Sequence, residues 1–309
     1  MIENKPIIEF REFEKSYKDI HAVKALNLSV NAGETFALLG PNGSGKSTLI
    51  RALAGLHKPS SGKVIVNGQD INGKSHKAGN SIAYMPQRVA LPGHLTAREL
   101  LTFFAGLRGA DADSVDSALD FVSLSQDADR YTMEFSGGML QRLGLAVAFL
   151  VDVSIFILDE PTLNLDPVGV DCFRTKIKQL KERGTTIIFS SHILQDAIQL
   201  ADRIGILVDG RLVGIETMSE FRDMLTQETV VRVVLETMSD KFADAALEAG
   251  AVTFSSNHRH YSFKASPARR LNIIRAIEHA GGTIEEFHTD PPDWETLIKQ
   301  RFRDEGSVE

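Results

Sequence analysis

The chain has 309 residues, 43% of them hydrophobic and 24% charged, with a formal net charge of −7. This length suggests two domains, or one large domain with an appendage. The acidic balance argues against general nucleic-acid binding, and the single Cys172 excludes an intramolecular disulfide framework and fits a reducing compartment. No stretch approaches the ~18 uninterrupted apolar residues of a membrane span, and the N-terminus does not resemble a signal peptide, so a transport role would need a membrane partner.

The first elements lead into a glycine-rich loop. Residues 6–17 and 24–30 are predicted as strands, the second because apolar and polar residues alternate there. Residues 35–39 form an apolar run typical of a buried strand, and a helix-compatible run covers 47–56. The segment between them fits G-x-x-x-x-G-K-[ST] and consists of Gly40, Pro41, Asn42, Gly43, Ser44, Gly45, Lys46, Ser47 and Thr48.

This strand–loop–helix setting predicts a phosphate site. Glycines let successive backbone N–H groups face inward around an anion, and the following helix adds the positive end of its dipole. Lys46 can reach the β- and γ-phosphates, and the Ser47 hydroxyl can ligate Mg²⁺. The alternative is a glycine-rich turn that matches the pattern by chance.

Two residues outside the loop are candidates for ligand contact. Tyr17 could stack on an adenine ring, although an aromatic residue in a strand more often belongs to a core. Gln87 follows the strand predicted over 81–85, at a position where strands of an open α/β sheet approach ligands. The alternative for Gln87 is a solvated loop residue.

The middle of the chain is predicted to be helical. Residues 96–99 form a capping box that opens an apolar helix, and 114–124 has the spacing of a second amphipathic helix. No clear strand signal appears from about 90 to 150, which indicates a helical insertion. Ser136 can cap the next helix, and the two leading glycines of that helix expose N–H groups at its positive end. This helix start is predicted to be a second anion site, with a plain N-cap as the alternative.

Two later strands end in polar residues. The apolar run 155–158 delivers Asp159 and Glu160 to the edge of the sheet. Asp159 suits Mg²⁺ coordination through water, and Glu160 suits the polarisation of an attacking water. His192 follows the strand predicted over 185–189 and could contact a γ-phosphate, or be an ordinary surface histidine.

Taken together, these motifs resemble the ATP-binding cassette ATPases of ABC transporters over residues 6 to about 225. The matching elements are the A-loop aromatic (Tyr17), Walker A (40–48), the Q-loop glutamine (Gln87), the signature motif (135–141), Walker B with its catalytic glutamate (155–160), the D-loop (162–166) and the switch histidine (His192). Two departures, Met139 in the signature and Leu163-Asn164 in the D-loop, fall where two cassettes meet.

The resemblance implies roles and partners. ATP would contact Tyr17, the Walker A residues and, from a second chain, Ser136, Gly137 and Gly138. Mg²⁺ would be held by Ser47, Gln87 and Asp159, and hydrolysis would use Glu160, His192 and Gln87. The resemblance also implies a homodimer closed around two ATP molecules, transmembrane permease subunits as partners, no nucleic-acid partner, and a peripheral location at the cytoplasmic face of the inner membrane.

The tail has a different pattern. From about residue 229 the predicted order is β-α-β-β-α-β, which suggests a small ferredoxin-like domain. Pro292 and Glu295 resemble the Pro-x-x-Glu start of a final helix found in some exporter cassettes. Three tail histidines are interpreted as surface residues in preference to a metal site; they are His258, His260 and His288.

The expected fold is therefore α/β. A P-loop cassette over residues 1–226 contains an antiparallel β subdomain and a helical insertion at about 90–150, and an α+β accessory domain follows over 229–309. The predicted function is ATP hydrolysis that powers an ABC transporter. The tail and the run 140–145 resemble the cassette that serves copper-site maturation of nitrous oxide reductase.

Three alternatives to that function stay open. One is the cassette of a drug or lipid exporter. Another is a soluble ABC ATPase acting on ribosomes or DNA, against which the single P-loop and the lack of a long coiled coil argue. The last is a non-hydrolysing nucleotide sensor, against which Glu160 and His192 argue.

Overall fold

The computed structural model describes residues 6–71, 81–111, 113–227 and 229–290. The chain forms two compact units, Met1–Ile215 and Glu216–Glu309. The described strands are β1 (Pro6–Tyr17), β2 (Ile20–Asn31), β3 (Thr35–Leu39), β4 (Ser61–Val66), β5 (Gln69–Asp70), β6 (Ile82–Met85), β7 (Ile155–Asp159), β8 (Thr186–Ser191), β9 (Arg203–Val208), β10 (Arg211–Thr217), β11 (Thr229–Leu235), β12 (Thr253–Asn257), β13 (His260–Ala265) and β14 (Ile284–Asp290). The described α-helices are α1 (Lys46–Leu53), α2 (Ala97–Arg108), α3 (Asp113–Phe121), α4 (Gly137–Ala148), α5 (Pro167–Glu182), α6 (Leu194–Leu200), α7 (Met218–Gln227), α8 (Asp240–Glu248) and α9 (Arg270–His279).

A six-stranded sheet with the order β10-β9-β3-β8-β7-β6 forms the centre of the first unit. Strands β9, β3, β8, β7 and β6 pair in parallel. Every residue of β3, β7 and β8 is buried, as expected for parallel strands covered on both faces. Because the strands are parallel, their carboxyl ends lie at one edge of the sheet, and Leu39 is opposite Ser191 while Asp159 is opposite Ser190.

A second sheet of the first unit is antiparallel, with the order β2-β1-β4-β5. Along β2, Leu26, Leu28 and Val30 are buried and alternate with exposed polar residues. These side chains join one hydrophobic core with Phe36 of β3 and Leu49 of α1. The alternation predicted from the sequence therefore reflects one face packed on the core and one face in solvent.

Helices α2, α3 and α4 form the insertion. The predicted capping box is present at α2: the Glu99 N–H donates to Thr96 Oγ1 at 3.2 Å, and the Thr96 N–H donates to Glu99 Oε2 at 2.9 Å. Val115 and Leu119 of α3 are buried, as their spacing predicted. In the described part of residues 90–150 the only β-pairing is an isolated bridge between Thr96 and Tyr131.

The second unit contains a four-stranded antiparallel sheet with the order β12-β13-β11-β14. Alternate residues of β11, including Val231 and Val233, pack into a separate core with Phe242 of α8 and Ile273 of α9. The element order from β11 to β14 is the predicted β-α-β-β-α-β, so the expected fold class is confirmed. The helix start predicted at Pro292 lies outside the described residues.

Two negative findings apply to the described residues alone. None of the helices there is long and apolar enough to cross a membrane. No cluster of three or more histidine, cysteine or acidic residues suited to a metal is found among them, and His258, His260 and His288 are exposed.

Because the second unit has its own core, we propose that residues 229–309 are an accessory domain separable from the cassette. The compact units divide after Ile215, before α7, whereas the sequence suggested a boundary near Thr226. A chain truncated after Thr226 retains all of α7 but its last residue, and we expect it to fold and to bind ATP as the full chain does. Circular dichroism and nucleotide titration test this. Aggregation of the truncated chain in all conditions, with an unstable isolated tail, would instead show one cooperative unit.

Candidate functional site

The loop between β3 and α1 is a tight curve that requires glycine at defined points. Gly43 and Gly45 have φ values of 82° and 105°, which L side chains rarely adopt. A Cβ on Gly40 would lie 2.2 Å from the Leu207 carbonyl oxygen, and one on Gly45 would lie 2.5 Å from the Ala22 carbonyl oxygen. Any side chain at Gly40 or Gly45 would therefore displace the neighbouring backbone.

Lys46 brings a buried positive charge into this loop. Its ammonium group donates hydrogen bonds to the carbonyl oxygens of Gly40 at 2.7 Å and Pro41 at 3.1 Å, and it lies 3.4 Å from Glu160 Oε1. The surrounding cleft is lined by Ala22, Asn42, Gly43, Ser44, Gly45, Lys46, Ser47, Thr48, Gln87 and Glu160. The structure thus places most of the predicted loop, Gln87 and Glu160 around one cleft.

Asp159 is fully buried at the end of β7. Its Oδ1 accepts hydrogen bonds from Ser47 Oγ at 2.9 Å and Ser190 Oγ at 2.8 Å. Its Oδ2 is also buried and has no hydrogen-bond partner among the described residues. Burial raises the pKa of Asp159 above its usual range, against the opposing effect of the two serine hydroxyls. A free carboxylate oxygen beside a serine hydroxyl fits the oxygen ligands that Mg²⁺ prefers.

Glu160 is held in place by its backbone and by both carboxylate oxygens. Its φ is 50°, in the left-handed region, and its N–H donates to Ser190 Oγ at 2.9 Å. Its Oε2 lies 2.7 Å from His192 Nδ1, while Oε1 faces Lys46. A non-glycine residue in this conformation costs energy and persists only where its surroundings fix it. The carboxylate is therefore positioned in the cleft, where it can accept a proton from water.

His192 contacts Glu160 through the backbone as well, since its N–H donates to Glu160 Oε2 at 3.3 Å. The sequence suggested a phosphate contact or a surface histidine, and the structure places the partly exposed ring against the carboxylate of Glu160, the residue that follows β7. This pairing gives His192 a way to orient Glu160. Its contact with a γ-phosphate stays a prediction.

The Tyr17 side chain is 38% exposed, so the core interpretation of this residue is wrong. Its hydroxyl lies 3.2 Å from His57 Nδ1, and the two rings meet edge to face with centroids 5.8 Å apart. The Lys15 ammonium lies 5.0 Å from the Tyr17 ring centroid. The ring is therefore held by two neighbours yet remains accessible to a ligand.

We expect Tyr17→Ala to weaken ATP binding by about 1 kcal/mol, because one base stack is lost. Fluorescent-nucleotide titration measures this change. Tyr131, 49% exposed in the helical insertion, supplies the control: Tyr131→Ala should leave the affinity unchanged. An unaltered affinity in Tyr17→Ala, together with a lower melting temperature without ligand, would assign Tyr17 a structural role only.

The signature residues lie in a different groove. Ser136 Oγ accepts from the Met139 N–H at 3.3 Å and so caps α4, and a Cβ on Gly137 would meet no atom within 4 Å. This groove is lined by Gln87, Arg88, Val89, Ser136, Gly137, Gly138, Leu140, Gln141, Asn164, Leu165 and Asp166. Gln87 borders both it and the cleft at Lys46. Within one chain the signature does not line the cleft, and its contact with nucleotide on a second chain stays a prediction.

Sequence reasoning missed Ser190 as part of the site. Its hydroxyl donates to Asp159 Oδ1 and accepts from the Glu160 N–H, so it links the two acidic residues. The available signal was the polar pair Ser190-Ser191 at the end of an otherwise apolar buried strand. A hydroxyl in that place is expected to find a partner on the neighbouring strand.

The family described as "ABC transporter" matches residues 23–163. The linearmycin resistance ATP-binding protein LnrL of Bacillus subtilis (strain 168) is 34% identical over 240 residues, which cover 76% of this chain and 77% of that protein. The Nod factor export ATP-binding protein I of Rhizobium sp. (strain N33) is 38% identical over 212 residues, which cover 67% of this chain and 70% of that protein.

Two solved structures are also similar. One, described as the structure of the ATP binding subunit of an ABC transporter, has a TM-score of 0.65 and 29% identity and covers 70% of this chain and 92% of its own. The other is a dimeric ATP-binding cassette in a post-hydrolysis state bound to ADP and Pi. It has a TM-score of 0.64 and 28% identity, and it covers 68% of this chain and 98% of its own.

Proposed function

The chain belongs to the family of ATP-binding cassettes of ABC transporters, and from this premise we propose that it hydrolyses ATP to drive an exporter through membrane permease subunits. Cassettes of this family bind ATP and are ATPases. The observation that carries the proposal is the placement of Glu160 between Lys46 and His192, in a cleft lined by the phosphate-binding loop.

In the proposed reaction the loop N–H groups and Lys46 bind the β- and γ-phosphates of ATP. Lys46 is paired with Glu160 Oε1 in this structure, so phosphate oxygens that attract the ammonium would release that oxygen. Glu160 then accepts a proton from a water whose oxygen attacks the γ-phosphorus, and the bond to the β–γ bridging oxygen breaks. His192 Nδ1 keeps the Glu160 carboxylate oriented meanwhile.

We propose that Ser47, Asp159 and Gln87 hold the Mg²⁺ that accompanies ATP. Ser47 Oγ and the unpartnered Asp159 Oδ2 supply oxygen ligands, directly or through water, and Gln87 borders the same cleft. When bound, the ion neutralises charge on the phosphate oxygens.

A homodimer is the second part of the proposal. Ser136, Gly137 and Gly138 border a groove apart from the cleft, so their N–H groups are available to the nucleotide of a second chain. Two N-terminal helix dipoles facing the phosphates would favour the closed dimer while ATP is present. The dimeric form of one similar cassette structure supports this arrangement.

The proposed cargo class is that of an exporter. The two relatives described above carry names that refer to linearmycin resistance and to Nod factor export, which favours a drug or lipid exporter. Copper-site maturation of nitrous oxide reductase stays a narrower prediction, which rests on the tail and residues 140–145. In either case the proposed location is peripheral, at the cytoplasmic face of the membrane and attached through permease subunits.

Identification of any polytopic membrane proteins encoded beside its gene, and co-expression with them, tests the transporter proposal. We expect the chain to co-purify with them in detergent and to show ATPase activity that the membrane subunits modulate. Glu160→Gln should co-purify equally but hydrolyse ATP slowly, which separates assembly from chemistry. Efficient hydrolysis by a chain that associates with no membrane protein would favour a soluble ATPase, and tight ATP binding by the parent without turnover would favour a nucleotide sensor.

A further inference from the structure

A second contact joins the same two segments that carry Glu160 and His192. Thr162 Oγ1 donates a hydrogen bond to Asp196 Oδ2 at 2.6 Å. The exposed fractions are 8% for Thr162 and 2% for Asp196, so the contact is buried. Neither residue lines the cleft at the phosphate-binding loop. The contact therefore lies outside the nucleotide site described above.

The Asp196 carboxylate depends on its partners. A buried carboxylate is costly unless it is paired and hydrogen-bonded, and Asp196 meets both conditions. Arg174 Nη2 of α5 donates a hydrogen bond to Asp196 Oδ1 at 2.8 Å, while the Thr162 hydroxyl donates to Asp196 Oδ2. Removal of the Thr162 hydroxyl would leave one oxygen of a buried anion without its donor.

The positions of the two contacts relate them to each other. Thr162 lies two residues after Glu160, and Asp196 lies four residues after His192, in the first turn of α6. Two successive turns contain Thr162. The first is closed by the Leu163 N–H, which donates to the Glu160 carbonyl at 3.0 Å, and the second by the Leu165 N–H, which donates to the Thr162 carbonyl at 3.2 Å. The segment after β7 is thus fixed to the segment after β8 at two points.

We propose that Thr162 and Asp196 form a positioning clasp that holds Glu160 in its left-handed conformation against His192. This inference rests on the proposed catalytic role of Glu160. Without the clasp, the turn after Glu160 gains freedom, and the carboxylate spends less time aligned with the attacking water. Small losses of alignment lower the rate of the chemical step strongly, while phosphate binding by the loop is unaffected. The clasp should therefore act on kcat and leave KM unchanged.

Thr162→Val tests the clasp because it keeps the shape of the side chain and removes the hydroxyl. We expect kcat for ATP hydrolysis to fall roughly tenfold, with KM and the Kd for ATP within about twofold of the parent. Thr162→Ser restores the hydroxyl and should restore most of the turnover. Thr229→Val is the matched control: Thr229 is also 8% exposed and hydrogen-bonded, to the Ala265 carbonyl at 3.0 Å, yet it lies in the second unit. It should lower the melting temperature and leave kcat unchanged.

The Glu160→Gln background separates positioning from a general structural effect. If the clasp acts through Glu160, adding Thr162→Val to Glu160→Gln should change the residual single-turnover rate by less than about twofold. An independent tenfold loss in that background would overturn the proposal, as would a parental kcat in Thr162→Val. Should Thr162→Val fail to fold, Asp196→Ala gives the same kcat test, because it removes the acceptor of the Thr162 hydroxyl while Arg174 is partly exposed and can turn to solvent.

Two outcomes distinguish loss of the clasp from loss of the catalytic role of Glu160. Parental hydrolysis by Glu160→Gln would remove the catalytic role on which the clasp depends. An inactive Glu160→Gln together with a fully active Thr162→Val would leave that role intact and overturn the clasp alone.

Discussion

Glu160→Gln is expected to lower the rate of ATP hydrolysis by roughly 10²–10⁴-fold, the scale typical for loss of a general base. The substitution keeps the size of the side chain and its contact with His192, and it removes the charge that pairs with Lys46. ATP binding should survive, because the loop backbone, Lys46, Ser47 and Asp159 are unchanged. Steady-state phosphate release and nucleotide titration measure the two effects separately.

The same variant should accumulate the closed dimer. Hydrolysis is the event that opens the proposed dimer, so slowing it should produce an ATP-dependent shift from monomer to dimer on size exclusion. Ser136→Arg in this background should abolish the shift, because the long side chain obstructs the groove facing the second nucleotide. Hydrolysis at the parent rate would refute the catalytic role. An inactive variant that stays monomeric with ATP would instead indicate that closure requires the membrane subunits.

Lys46→Ala is expected to remove most of the affinity for ATP. Two charge-assisted hydrogen bonds to phosphate oxygens are worth about 3 kcal/mol, which corresponds to a roughly 100-fold higher Kd. The loss is large because the ammonium is buried at the centre of the loop, where its bonds to the Gly40 and Pro41 carbonyls already position it. Titration with a fluorescent nucleotide gives the Kd directly.

Lys176 of α5 offers a matched control for this variant. It is partly buried over the rings of Phe121 and Phe149, and burial lowers the pKa of its ammonium, but it does not line the nucleotide cleft. Lys176→Ala should therefore lower stability without raising the Kd for ATP. An unchanged Kd in Lys46→Ala would contradict the assignment of the loop as the phosphate site.

The sequence by itself predicted the local elements well. The buried strands β3 and β7 were recognisable as apolar runs, and the start of α2 was recognisable from its Thr96–Glu99 capping box. The phosphate-binding loop was predicted because its glycines serve a local backbone requirement, which the φ values of Gly43 and Gly45 display. Such features depend on residues a few positions apart, so a single sequence contains the information.

The tertiary structure decided which distant side chains meet. No local pattern indicates that Lys46 faces Glu160, or that Tyr17 rests against His57 at the surface and not in a core. The order β3-β8-β7 determines the first of these pairings, because it brings the carboxyl ends of strands far apart in the chain to one edge of the sheet. The Ser190 bridge and the Thr162–Asp196 contact have the same origin. Backbone geometry over a few residues produces a helix, a strand or a loop, whereas the contacts that orient Glu160 form only when the sheet is assembled.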